Sequence, residues 1–115
     1  MFTFDQVFDQ IKQIATDNPD NIADCVYRGD NDEPVCIVGH WLHQNNLLYD
    51  EEWEQMEENN VDFVLDWLVR HRGVAVDAPS RKFLALVQGI QDRQTPWGMA
   101  LEAAIAAMEE DSTQD

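Results

Sequence analysis

Two cysteines and two histidines are the residues whose types and spacing best suit chemistry. Cys36, His40 and His43 are spaced i, i+4 and i+7, so they share one face if the segment is helical. Cys25 lies eleven residues upstream, beside a turn-forming cluster. Thiolate and imidazole groups could bind Zn²⁺ tetrahedrally if Cys25 folds over the helix start. The four residues are therefore the candidate metal ligands of this sequence.

The same four residues also have a simpler interpretation as core and surface side chains. Their spacing is not that of a zinc finger or ribbon, and buried cysteines commonly act as small hydrophobes. Cys36 and His40 could pair as nucleophile and base, but no oxyanion-hole loop is evident near them. We therefore predict no enzymatic activity, no cofactor and no bound metal. A small metal-stabilised or cysteine-dependent enzyme is the alternative.

Carboxylates are abundant, but their spacing indicates neither a glycosidase nor a calcium site. Glu51 with Glu54, and Glu54 with Glu58, fall on a helix predicted to be exposed, whereas glycosidase chemistry needs a pair in a cleft. The acids after Gly29 lack the spacing of a calcium-binding loop. No glycine-rich phosphate loop is present in the sequence, which argues against ordinary nucleotide chemistry.

The distribution of charge is the strongest functional feature of the sequence. The 115 residues include 23 Asp and Glu against 7 Lys and Arg, a net charge of -16 that opposes direct binding to nucleic acids or anionic membranes. Five of the seven basic residues lie between positions 70 and 93. Eight acids and no basic residue lie between positions 50 and 66: Asp50, Glu51, Glu52, Glu54, Glu57, Glu58, Asp62 and Asp66.

This segregation can be a solvated face that keeps the protein soluble, or a docking face for a basic protein. In its extreme form, a docking face of this kind mimics the phosphate backbone of DNA. We predict a docking face, and an exposed Trp53 would give it an aromatic centre unless Trp53 or Met56 packs inward. The predicted partner-binding residues are Asp50, Glu51, Trp53, Glu54, Glu57, Glu58 and Asp62.

Three stretches that together span most of the chain resemble one group of proteins. They are Cys25-Val26-Tyr27 with Pro34 to His40, then Leu84 to Asp92 ending in Gln91-Asp92, and Pro96-Trp97-Gly98 opening an alanine-rich helix. They resemble short uncharacterised proteins from actinobacteria and actinobacteriophages. The resemblance implies a small, mostly helical intracellular domain of phage or host origin, and it transfers no catalytic residues. Taken together with the acidic face, a phage origin predicts a factor that binds or inhibits a basic host protein in the host cytoplasm.

Apolar periodicity and capping residues predict six helical segments. The first begins near residue 4, with Thr3 and Gln6 as a capping box, and stops at Pro19. The others span 35–44, 50–58, 61–72, 79–93 and 96–108. Asp50, Asn60 and Thr95 are the expected caps of the third, fourth and sixth helices, and Gly73 is expected to end the fourth.

These segments predict an all-α fold, a single domain over 1–115 with five or six helices around the helix at 61–72. Residues 25–27 and 74–76 could add a short two-stranded ribbon, and residues 109–115 are expected to be a frayed acidic tail. Met99, Ala103 and Ala106 form an apolar face that we expect another helix or a twofold partner to cover, so a homodimer through the last helix is possible. No signal peptide or membrane span is evident, which predicts a cytoplasmic protein.

Overall fold

The computed structural model describes residues 2–22, 36–48, 50–56 and 59–112. These residues form six helices, which confirms the predicted all-α class: α1 (Phe4–Asp17), α2 (Ile37–Gln44), α3 (Asp50–Met56), α4 (Val61–Arg72), α5 (Ala78–Gln91) and α6 (Trp97–Ser112). Extended pairing in the described residues is limited to an isolated bridge between Phe2 and Val76. The predicted ribbon needs residues 25–27, which lie outside the described residues.

Polar side chains at the helix ends explain where the helices begin and stop. The Gln6 N–H donates to the Thr3 hydroxyl and the Thr3 N–H donates to the Gln6 side chain, so the predicted capping box of α1 is confirmed. Asn60 caps α4 by accepting the Phe63 N–H at 2.9 Å, also as predicted. Gly73 ends α4 with a φ of 64°, a left-handed conformation that glycine adopts at little cost.

Asp77 joins the starts of two helices and was not predicted to do so. Its carboxylate accepts the Ser80 N–H at 2.9 Å, which caps α5, and the Phe4 N–H at 2.8 Å, at the start of α1. The hydrogen bond from the Ser80 side chain lowers the pKa of the Asp77 carboxyl, because it stabilises the ionised form. One carboxylate therefore stabilises the first turns of both α1 and α5.

The centre of the fold is α5 and not α4. Helix α5 packs against α1, α2, α4 and α6, and its Phe83, Leu84 and Val87 are fully buried. Helix α4 contacts the other described helices mainly through α5, and its Phe63 and Val69 are 46% and 48% exposed. The prediction of a central α4 is therefore wrong. Apolar side chains run almost all the way round α4, so this helix has more of them than one buried face requires, and the remaining ones face outward.

Helices α3 and α6 differ from their predicted extents. Helix α3 includes Asp50 as its first residue, where the sequence predicted a cap, and it is described as far as Met56, with residues 57–58 outside the described ranges. Helix α6 continues to Ser112, through part of the predicted frayed tail, while residues 113–115 lie outside the described ranges. None of the described helices combines the length and the apolar character that crossing a bilayer requires.

The small-residue face of α6 points to solvent in the single chain. Met99 is 61% exposed, and Ala103 and Ala106 are also exposed. The expectation that another helix covers this face is therefore wrong for the described part of the chain. Cover by a twofold partner stays a prediction.

Candidate partner-binding surface

Helix α3 turns its large apolar side chains inward. Trp53 and Met56 are both buried in the core, and their i, i+3 spacing places them on one side of the helix. The expectation of an exposed Trp53 at the centre of a docking face is wrong, and the alternative of inward packing is confirmed. Burial of two large apolar side chains is worth a few kcal/mol, which outweighs any benefit of exposing them in the unbound protein.

Arginines from the basic half of the chain offset part of the acidic segment. Glu52 is buried and forms an ion pair with Arg72 at the end of α4. Arg81 of α5 contacts Asp66 at 2.8 Å and Asp62 at 3.5 Å. The charges that are segregated along the sequence are therefore brought together by the packing of α3, α4 and α5.

Three of the eight acids between positions 50 and 66 nevertheless remain at the surface, two of them, Glu54 and Asp62, among the predicted partner-binding residues. The side chains of Asp62 and Asp66 are 60% and 59% exposed despite their contacts with Arg81, and Glu54 is exposed. Exposed ion pairs of this kind contribute only about 0–1 kcal/mol, so both aspartates remain available to a second cation. Of the other predicted acids, Asp50 and Glu51 belong to α3, while Glu57 and Glu58 lie outside the described residues.

The outward side of α4 carries aromatic side chains, contrary to the prediction that this helix is the centre of the fold. Phe63 is about half exposed, and the half-buried Trp67 follows one turn later. His71 stacks on Trp67 with 4.6 Å between the ring centroids, and the Arg72 guanidinium carbon lies 5.3 Å from the centroid of the Trp67 ring. These two contacts hold Trp67 in a defined position beside Phe63.

Aromatic rings and carboxylates follow adjacent rows along α4. Asp62 and Asp66 each precede one of the two aromatic residues by a single position, so both pairs repeat with the same i, i+4 spacing. We call Asp62, Phe63, Asp66 and Trp67 the α4 patch. Carboxylates bind guanidinium and ammonium groups, and ring faces attract the same cations. The α4 patch therefore has the chemistry to bind Lys and Arg side chains.

The three cysteine and histidine candidates that the structure describes, Cys36, His40 and His43, do not converge on one site. Cys36 is fully buried and caps α2, where its sulfur accepts the Gly39 N–H at 3.1 Å. His43 is exposed, whereas His40 packs edge-on against Trp97 with 5.3 Å between ring centroids. Burial lowers the pKa of His40, and the nearby His43 lowers it further. Among the described residues, no three His, Cys, Asp or Glu side chains are placed to hold a metal ion, and Cys25 lies outside those residues.

Buried glutamines on α5 form a polar contact that the sequence analysis missed. Gln91 is fully buried, and its side-chain oxygen accepts the Ile37 N–H at the start of α2 at 2.8 Å. The side-chain amides of Gln88 and Gln91 both donate to the Asp92 carboxylate at 3.2 Å. Their spacing could have indicated their burial, because Gln88 lies four residues after the buried Leu84 and Gln91 lies four residues after the buried Val87. This contact positions α2 on α5.

No protein family, curated protein or solved structure matches the chain. The relationship to actinobacterial and phage proteins stays a prediction that depends on the three stretches quoted above. Two contacts described above connect these stretches in the fold. The hydrogen bond between Ile37 and Gln91 joins the first stretch to the second, and the ring contact between His40 and Trp97 joins the first to the third. Both are interior contacts.

Proposed function

We propose that this protein is a non-enzymatic, acidic module that binds a basic protein through the α4 patch. The observation that supports the proposal is the exposure of Phe63 beside the carboxylates of Asp62 and Asp66. The half-exposed Phe63 and the half-buried Trp67 lie one turn apart, so the two rings form a contiguous apolar patch rimmed by carboxylates, and such patches mark interaction sites. The α4 patch takes the place of Trp53 as the aromatic centre of the predicted docking face.

Charge and aromatic contact have separate roles in this proposal. The net charge of -16 attracts a basic partner over distances of about a Debye length and raises the rate of association. The rings of Phe63 and Trp67 then exclude water from the contact, and buried aromatic contacts of this kind dominate the rate of dissociation. Asp62 and Asp66 select for Lys and Arg at the same position.

The class of partner follows from the same chemistry. A protein that presents clustered Lys and Arg residues, such as a nucleic-acid-binding protein, matches the acidic surface. The resemblance to proteins of actinobacteria and actinobacteriophages favours a phage-encoded factor that binds or inhibits a basic host protein in the host cytoplasm. Competition with DNA for that protein is the extreme form of the proposal, because the carboxylates would then occupy the positions of phosphates.

The test compares two single substitutions on α4. Phe63→Gln removes the exposed ring of the α4 patch, and Val69→Gln removes an equally exposed apolar side chain elsewhere on the same helix. Each protein is immobilised and incubated with an actinobacterial lysate, and bound proteins are eluted with rising salt and identified by mass spectrometry. We expect one or more basic proteins that elute as salt rises, with affinity at least about tenfold weaker for Phe63→Gln and unchanged for Val69→Gln. Equal retention by both variants, or elution that is insensitive to salt, would contradict the proposal.

A further inference from the structure

A second apolar surface lies between α1, α5 and α6, apart from the α4 patch. It is a groove of about 700 Å³, and its lining is apolar except for Glu109. The lining residues are Phe4, Phe8, Pro79, Phe83, Ile105, Met108 and Glu109. We call it the phenylalanine groove. Its volume is in the range of ligand-binding clefts and holds several large side chains.

Three rings make the floor of the phenylalanine groove. Phe83 is fully buried, and its ring centroid lies 5.7 Å from that of Phe4 and 5.5 Å from that of Phe8. Phe4 and Phe8 are 5.7 Å apart and half-buried, so their outer surfaces remain in contact with solvent. Mutual packing of the three rings fixes the floor before any ligand binds, which reduces the entropy cost of binding.

One charged residue lines the phenylalanine groove among the residues that the structure describes, and it is an acid. Glu109 lines it, and the exposed Asp5 and Asp9 directly follow the two floor residues of α1. Among the described residues no Lys or Arg lines the groove: Lys82 lines a different pocket, between α4 and α5, and Lys12 lies one turn beyond Phe8 on the same side of α1. An apolar floor with an exposed acid in its lining, in a chain of net charge -16, is complementary to an apolar segment flanked by Lys or Arg.

We propose that the phenylalanine groove binds an amphipathic helix of a basic protein. The apolar side of that helix packs on Phe4, Phe8 and Met108, and its Lys and Arg residues face Glu109. The lining residues of α1 and of α6 recur at one-turn intervals, which matches the i, i+4 spacing of anchors on a docked helix. The proposal shares with the proposed function only the basic character of the partner, since it concerns a different surface.

The methionines of the chain provide reporters for the test. Met108 lines the phenylalanine groove, Met99 lies on the exposed face of α6, and Met56 is the buried last residue of α3. The full chain is labelled with ¹³C at the methionine methyl groups and titrated with a synthetic helical peptide of about four turns, with Leu on one side and Lys on the other. We expect the Met108 methyl resonance to shift saturably while those of Met56 and Met99 do not. The same peptide with Glu in place of Lys should bind at least about tenfold more weakly.

Two matched substitutions on α6 locate the binding site. Ile105→Arg places a positive charge in the lining of the groove, whereas Ala103→Arg adds the same charge to the exposed side of the helix. We expect Ile105→Arg to weaken binding of the Lys peptide at least about tenfold and Ala103→Arg to leave it unchanged. Circular dichroism and thermal unfolding verify that both variants fold.

Several outcomes would overturn the proposal. An unchanged Met108 resonance, or equal binding of the Lys and Glu peptides, would show that the groove does not take a basic helix. A shift of Met108 that depends on the concentration of the protein alone would identify a second copy of the chain as the occupant. Loss of peptide binding in Phe63→Gln would place the peptide on the α4 patch instead. The Phe63→Gln variant otherwise tests only the proposed function, so the two proposals can fail separately.

Discussion

The helices divide into two regions that are held in different ways. The inner bundle consists of α1, α2, α5 and α6. Nearly every pair of these helices is in contact, and α5 contacts each of the other three. The outer layer, α3 and α4, contacts the bundle mainly through α4 on α5, and it adds the ion pairs of Arg72 and Arg81 to its buried apolar residues. The acidic segment therefore lies on the region with the fewest neighbours. A partner could bind there without disturbing the packing of the inner bundle.

Deletion of a core side chain in each region should give the largest effect. Leu84→Ala in α5 and Leu65→Ala in α4 each remove a buried leucine, at a cost of about 2–5 kcal/mol. We expect the larger loss for Leu84→Ala, because a helix packed on four neighbours cannot collapse into the cavity. Chemical denaturation measures both values, and hydrogen exchange should show α4 amides opening before α5 amides. A larger loss for Leu65→Ala would remove the distinction between the regions.

Removal of helix caps should give the next largest effect. Asp77→Ala removes contacts to two helix starts in the inner bundle, at about 1 kcal/mol each, whereas Asn60→Ala removes one in the outer layer. We expect a loss of about 2 kcal/mol for Asp77→Ala and about 1 kcal/mol for Asn60→Ala at neutral pH. Because the pKa of Asp77 is lowered in the folded state, its contribution is complete above the ordinary pKa of an aspartate. The difference between Asp77→Ala and wild type should therefore shrink as the pH falls through the pKa of the folded state.

Two glycines offer a comparison of backbone effects between the regions. Gly73 ends α4 with a positive φ, whereas Gly89 lies inside α5. At both positions an added Cβ atom would have no neighbouring atom within 4 Å. We expect Gly73→Ala to destabilise the protein by about 1 kcal/mol, because alanine is strained in the left-handed region. Gly89→Ala should stabilise it by about 0.5–1 kcal/mol through helix propensity. Thermal unfolding measures both changes, and stabilisation by Gly73→Ala would contradict the left-handed conformation at the end of α4.

Titration of His40 should give the smallest effect, within the inner bundle. Its pKa is lowered in the folded protein, so the unfolded chain binds more protons near the ordinary pKa of histidine, and stability rises with pH in that range. Wild type should therefore lose stability relative to His40→Gln as the pH falls from about 7.5 to about 5.5. Denaturation midpoints at several pH values measure this difference. An opposite slope would mean that charged His40 is stabilised in the fold.

Local signals predicted much of the fold and little of the candidate site. The caps at Thr3, Asn60 and Gly73 follow from side chains that act within one turn, and the sequence displays them directly. The exposure of Phe63 depends on which side of α4 meets α5, and an apolar pattern that continues round the helix leaves that undetermined. The burial of Trp53 depends on how α3 packs on the rest of the fold, which the seven residues of α3 do not show. The ion pairs of Arg81 join residues at least fifteen positions apart, so counting charges along the chain could not show them.

The hydrogen bonds near Phe2 have a consequence for the order in which the chain folds. The Phe2 N–H donates to the Ala75 carbonyl oxygen at 2.8 Å, and the carboxylate that holds the start of α1 belongs to Asp77. A ribosome delivers α1 long before it delivers these partners, and the central α5 emerges later still. Closing so long a loop costs entropy that local helix contacts do not repay. We therefore expect α1 and α2 to remain incompletely packed during synthesis, with their apolar faces open to chaperones until α5 has left the ribosome.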